Sequence, residues 1–190
     1  MQNMRRVISS EWFLLLMITV LAATLRLYAL DGLPPGLYHD EAYNGLDALC
    51  VIDGLRPVFF EANNGREPLF IYLTALSISF LGRSPLAVRL VAALLGTLTV
   101  PAAYLMTREL FGGRSALFTA LVTAGTFWHL NLSRVGFRAV SYPLFIALCL
   151  WLFSRGLRTR HWLDFALGGL WLGLSSYTYT VARFVPFAFL

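Results

Sequence analysis

The chain has no lysine, only two cysteines, and so little charge that charged residues make up 13% of its 190 positions against 58% hydrophobic. That scarcity excludes an ordinary soluble domain, in which about 25% of residues are charged, and it places the chain in a membrane. The two cysteines stand far apart, Cys149 in the middle of an apolar run, which excludes a disulfide framework or a cysteine metal cluster. Acid is almost absent over most of the length. Seven of the ten acids (Asp31, Asp40, Glu41, Asp47, Asp53, Glu61, Glu67) fall in one window with only Arg56 and Arg66, so that window is net −5. The rest carries thirteen arginines against three acids, net +10. The basic balance therefore belongs to arginines that flank apolar segments, and a nucleic-acid surface is excluded. No internal repeat or low-complexity tract is visible.

What the sequence does contain is a series of apolar runs. Arg5 and Arg6 precede the first, Trp12 to Leu30, whose 19 residues exceed the core of an ordinary secretory signal and lead to no cleavage site. It reads as a retained membrane helix, with Arg26 snorkelling outward near its end. Further spans are expected at residues 89–107, 115–133, 139–154 and 162–182, and a sixth starts at 184–190. Because that run stops at Leu190, the 190 residues are expected to be one membrane domain at the N-terminal end of a longer protein. The fold class this implies is all-α, a polytopic helical bundle.

The run Pro68 to Leu81 is the one that decides the topology. Its 14 residues would cover about 21 Å, short of the hydrocarbon layer of about 30 Å, so it is expected to lie on the membrane as an interfacial helix. Arg5/Arg6, Arg108/Arg114 and Arg155/Arg158/Arg160 then all fall on the cytoplasmic side, as the positive-inside rule prefers. The N-terminus is cytoplasmic and residues 31–88 form an outer loop at the plasma membrane. Three features are predicted to converge on the outer face: the acidic window, the Arg134/Arg138 turn, and the Tyr177-Thr178-Tyr179 to Arg183 corner.

In the acidic window, Leu33-Pro34-Pro35-Gly36-Leu37 is turn chemistry, and the residues from His39 to Leu49 read as a short amphipathic helix that Gly54 can end. Asp40, Asn44 and Asp47 share one face of it; Leu46, Leu49 and Cys50 share the other. Asp40 at a membrane surface is suited to deprotonating a hydroxyl. The simpler reading is that Asp40 or His39 caps the helix and Glu41 favours its positive end. Arg66 and Glu67 form either an exposed ion pair or a phosphate-facing guanidinium beside an acid. Arg134 and Arg138 either meet lipid head groups or neutralise a lipid phosphate. His129 reads first as a packed histidine. Trp162 and Trp171 fit an interfacial belt, whereas Tyr177 and Tyr179 beside Arg183 offer a head-group or sugar pocket.

Two stretches carry a resemblance: Leu27-Tyr28-x-Leu-x-x-Leu33-Pro-Pro-Gly-Leu37-x-x-Asp40-Glu41-Ala42, and Gly65-Arg66-Glu67-Pro68-Leu69-Phe70-x-Tyr72. Together with Arg89-Leu90, Arg108-Glu109-Leu110-Phe111-Gly112 and Ser133-Arg134 through Arg138, they are similar to the dolichyl-phosphate-mannose protein mannosyltransferases and lipid A aminoarabinose transferases (glycosyltransferase family 39). These are polyprenyl-phosphate-dependent enzymes of the C-type glycosyltransferase fold. The resemblance implies transfer of a sugar from a polyprenyl-phosphate donor in the bilayer to a glycan, lipid or protein hydroxyl on the outer face, with inversion. It assigns Asp40 as general base with Glu41 its acidic neighbour. Arg66, Arg134, Arg138 and Arg183 are then candidates for the donor phosphate, and Glu67, Tyr177 and Tyr179 for the substrate pocket. Relatives often carry a second acid in the short outer loop between the third and fourth spans, and the stretch Arg134 to Ser141 has none; a divalent metal and other cofactors have no support in the residues. A carrier of lipid-linked sugars, or a silent membrane subunit, would share the spans and arginines.

Overall fold

In the structure, a computed structural model that describes residues 2–189, the apolar runs become helices and no strand forms among the described residues. The order is α1 (Gln2–Leu27), α2 (His39–Ile52), α3 (Pro68–Leu81), α4 (Pro85–Phe111), α5 (Gly113–Gly125), α6 (Phe127–Arg134), a 3-10 turn (Arg138–Val140), α7 (Ser141–Thr159), α8 (Trp162–Ser175) and a 3-10 segment (Thr180–Phe189). Among the described residues, three stretches are long and apolar enough to cross a bilayer: Ser10–Leu27, Pro85–Phe111 and Arg138–Thr159. The all-α membrane bundle read from composition is the architecture observed.

Local chemistry sets the helix limits. Ser84 caps α4 by accepting from the Ala87 N–H at 3.2 Å, and Pro85 takes the first turn, where its missing N–H removes no hydrogen bond. Gly82 and Gly112 end α3 and α4 at φ of 75° and 88°, a left-handed backbone that favours glycine. The run 115–133 does not form one helix. Thr126 takes an extended conformation, φ −60° and ψ 123°, and divides the run into α5 and α6. Likewise α8 stops at Ser175, short of the end of the 162–182 run, and residues 184–189 continue the final 3-10 segment. Leu190 lies outside the described residues.

The long helix α4 is the centre of the bundle. On one side its buried Val100 and Tyr104 pack with Leu15 and Ala22 of α1 and with Ala116, Ala120 and Ala124 of α5. The three alanines recur every fourth residue on one face of α5, which lets backbones approach closely where dispersion, not water exclusion, drives association. On another side Ala102 of α4 meets Leu144, Phe145 and Ala147 of α7. Gly96 marks the tightest approach: a Cβ there would stand 2.8 Å from Ser133 Cβ and 3.2 Å from Arg26 Nε. Gly96→Ala is accordingly expected to destabilise the bundle by about 1–3 kcal/mol through overpacking, read as a lowered melting temperature in detergent.

Arg26 does not snorkel. It is fully buried, and its guanidinium donates to the carbonyls of Ala22 and Ala124 (3.1 Å each) and Thr123 (3.2 Å), with Ser133 Oγ at 3.3 Å and His129 Nδ1 at 2.9 Å. The extended backbone at Thr126 accompanies this arrangement, because carbonyls at the end of α5 then lack helical partners and turn to the arginine. An interior that supplies five acceptors holds the side chain against the pull of the interface.

The bundle has two chemically distinct ends. At one, the start of α1 meets the end of α4 through Glu11 and Arg108 (3.3 Å), and the end of α7 pairs Arg158 with Glu109 and Arg155 with Asp164 (3.4 Å). At the other stand α2, α3, α6, the 3-10 turn and the final 3-10 segment. The acidic window, the Arg134/Arg138 turn and the Tyr177 to Arg183 corner do converge there.

Candidate functional site

The site is built on α2, whose N-terminus is fixed by Glu41. One oxygen of Glu41 accepts from the backbone N–H of Tyr38 at 3.0 Å, and the other accepts from Arg89 Nε of α4 at 2.6 Å. Arg89 also donates to the carbonyls of Leu30 (3.1 Å), Asp31 (3.4 Å) and Gly36. Both partners are buried, so this pair clamps the loop after α1 to the start of α4. Gly136, at φ +60°, passes so close that an added Cβ would lie 3.0 Å from Glu41 Cγ. Glu41 is thus the fixed anchor of the helix start, and Asp40, one residue earlier, is not the cap.

Asp40 points elsewhere. Its Oδ1 accepts from Asn63 Nδ2 at 2.6 Å, and the carboxylate is only partly buried. Asn63 belongs to the turn Asn63-Asn64-Gly65, three residues with positive φ (51°, 66° and 78°), closed by an isolated antiparallel bridge between Phe60 and Arg66. The polar face of α2 therefore turns inward. Asn44 donates to the Gly136 carbonyl at 3.2 Å and accepts from Arg66 at 2.9 Å, Asp47 pairs with Arg66, and Leu46 on the opposite face is 58% exposed.

The four candidate phosphate-binding arginines separate into two groups. Arg66 is fully buried and donates to Asp47, Asn44 and the Ala62 carbonyl. Arg134 directs its guanidinium to the carbonyls of Leu25 (2.8 Å), Arg26 (3.1 Å), Tyr28 (2.9 Å) and Leu33 (3.1 Å), closing the C-terminal end of α1. Both act within the fold. Arg138 and Arg183 instead meet at Glu67: Arg183 Nη2 is 3.3 Å from Oε1, which also accepts from Thr180 at 2.8 Å, and Arg138 Nε stands 3.6 Å from Oε2. That last distance is too long for a hydrogen bond, and Glu67 Oε2 and Arg138 Nε are buried without any hydrogen-bond partner. Arg138 lies over the Tyr179 ring, 5.4 Å from its centroid, and close enough to Asp40 and Arg66 to interact with both electrostatically. Beside them a cavity of about 460 Å3 is lined by Phe59, Glu67, Ser176, Tyr177 and Arg183.

One end of the bundle thus gathers a carboxylate with a free oxygen, two guanidinium groups, a buried glutamate with an unmet acceptor, and two tyrosines. Buried polar atoms without partners are rare and call for a cause. Among the described residues no group of three or more His, Cys, Asp or Glu side chains is placed to hold a metal ion. Asn63, Arg89 and Thr180 were not legible as site residues. Only the Asn-Asn-Gly turn signal pointed to the first, Arg89 entered only as part of the resemblance with no role attached, and nothing local marks Thr180.

The helical membrane bundle carries an acid-and-arginine pocket at one end, and one comparison names its family. The family model described as dolichyl-phosphate-mannose-protein mannosyltransferase matches residues 65–190. The match covers more than half of the chain, and the chain belongs to that family. It takes in Arg66, Glu67, Arg138, Tyr177, Tyr179 and Arg183, and begins after Asp40 and Glu41. No curated protein and no solved structure matches the chain.

Proposed function

We propose that this chain carries the reacting end of an enzyme that moves a sugar from a polyprenyl-phosphate donor to an acceptor hydroxyl, with Asp40 as general base. The observation that carries the reading is the placement of Asp40, held on one oxygen by Asn63, within electrostatic reach of Arg138, which stands beside Glu67 and Arg183. The free oxygen of Asp40 takes the proton of the acceptor hydroxyl. The hydroxyl oxygen bonds to the anomeric carbon from the face opposite the lipid phosphate, so the configuration inverts. The bond from that carbon to the phosphate oxygen breaks, and the phosphate leaves with the electron pair.

Arg138 and Arg183 stabilise the charge that grows on the departing phosphate, since cations already aimed at a developing anion need no reorganisation as the charge forms. Glu67, Tyr177 and Tyr179 form the sugar pocket: the tyrosine rings offer an apolar face with a hydroxyl, and Glu67 is held in the wall by Arg138, Arg183 and Thr180. Glu41 orients α2 without touching substrate, and Arg66 and Arg134 support the loops from behind. The reacting end faces outward at the plasma membrane, with the arginine-bearing end cytoplasmic.

The test is release of polyprenyl phosphate from a labelled polyprenyl-phosphate sugar by membranes containing the longest available chain, with donor binding scored alongside. Release that requires the acceptor supports the reading. Bound donor with no release would point to a carrier or a silent subunit.

A further inference from the structure

Three successive residues with a left-handed backbone are costly for most side chains, and the turn after α2 meets that cost with Asn63, Asn64 and Gly65, types that tolerate it. The turn is held at three points. Phe60 and Arg66 close it with paired backbone hydrogen bonds of 2.9 and 2.7 Å. Gly65 lies so close to the Phe59 ring that an added Cβ would stand 2.5 Å from Cζ. The Gly65 carbonyl accepts from Arg138 Nη2 at 3.2 Å.

The two ends of this turn reach the two halves of the proposed reaction. At its start Asn63 donates to Asp40 Oδ1 at 2.6 Å, and at its end Gly65 receives Arg138. Asn64, between them, is exposed and makes no side-chain contact among the described residues. An inverting displacement sets the attacking hydroxyl and the leaving phosphate on opposite faces of the anomeric carbon, so the base and the cation must keep a set separation. A carboxylate turns about a broad terminal torsion, and without a partner its oxygens would sweep past the position the hydroxyl needs. The amide of Asn63 stops that rotation and leaves one oxygen open.

We infer that Asn63 is a positioning residue for the base: anchored in a turn that Arg138 braces, it holds the Asp40 carboxylate at a fixed spacing from the cations that meet the phosphate, an assignment that rests on the transfer proposed above. Asn63 touches neither donor nor acceptor and acts only through Asp40.

The test compares kcat and donor KM for release of polyprenyl phosphate from radiolabelled polyprenyl-phosphate mannose, in membranes that hold the longest available chain and their own acceptors. Asn63→Gly keeps the left-handed backbone and removes only the amide. It is expected to lower kcat about tenfold, the scale of one hydrogen bond to a charged group, with donor KM unchanged. Asn64→Gly loosens the same turn without reaching Asp40 and is expected to keep the parent's kcat. A cycle with Asp40→Asn supplies the second measurement: once the base is gone, Asn63→Gly is expected to cost no further activity, because two residues that act as a unit do not add. A parent-like kcat in Asn63→Gly, an equal loss in Asn64→Gly, or losses that multiply in the double variant overturn the positioning role and leave the transferase reading standing. A parent-like rate in Asp40→Asn, or no release by the parent, overturns the base assignment or the transferase reading itself, and the positioning role with it.

Discussion

Asp40→Asn is expected to reduce release of polyprenyl phosphate by at least about 100-fold, the scale of general-base loss, while leaving donor binding within about twofold of the parent by the same reasoning. The substitution is nearly isosteric. Asn63 still finds an oxygen to donate to, so the loop after α2 keeps its position, and Arg138 and Arg183 keep their contacts with Glu67. What disappears is the free oxygen's capacity to take a proton at neutral pH. If the variant turned over at the parent's rate, Asp40 would be an electrostatic or structural acid and the base would have to be sought elsewhere in the pocket. If donor binding fell together with release, Asp40 would belong to donor recognition.

The second large effect concerns stability. Arg89→Met leaves the Glu41 carboxylate buried without its cation and strips donors from the carbonyls of Leu30, Asp31 and Gly36. Breaking one partner of a buried pair costs about 3–5 kcal/mol, and for a chain of this size that lowers the melting temperature by about 6–20 °C. The double variant Arg89→Met with Glu41→Leu removes both charges and should recover much of the loss, because a buried ion pair replaced whole by apolar side chains is often close to neutral. A double variant as unstable as Arg89→Met alone would show that the backbone carbonyls, not Glu41, are what Arg89 secures.

The sequence made some of these features easy to read and hid others for physical reasons. Helix α3 was readable at its boundaries because punctuation is local: Pro68 opens it and Gly82 closes it, whereas α4 runs from Pro85 to Phe111 and overshoots the expected span 89–107 at both ends. The two faces of α2 were equally clear, but period alone does not say which face turns inward. In a membrane setting it is the Asp40, Asn44 and Asp47 face that finds partners, while Leu46 is left outside. The break at Thr126 was invisible because apolarity continues across it. Arg26 was misread for the same reason that makes it interesting: four of its five acceptors come from residues about a hundred positions later, and no local window contains them. The gathering of Glu67, Arg138 and Arg183 followed from the topology argument, whereas the partnership of Asp40 with Asn63 depends on a turn geometry that only the folded chain reveals.

The contacts of Arg26 and Arg134 carry a consequence for synthesis. Helix α1 is made first, yet Ser133 stands 107 residues after Arg26 and Arg134 supplies the donors for the carbonyls at the end of α1. At about 5–20 residues per second, the nascent chain waits roughly 5 to 20 s between making the first membrane helix and making the groups that satisfy it. During that interval a bare guanidinium and four open carbonyls must be kept from lipid by the insertion machinery, so α1 is expected to stay at the translocation site until α6 emerges. Site-specific crosslinking from α1 in chains arrested before and after residue 134 would time that release.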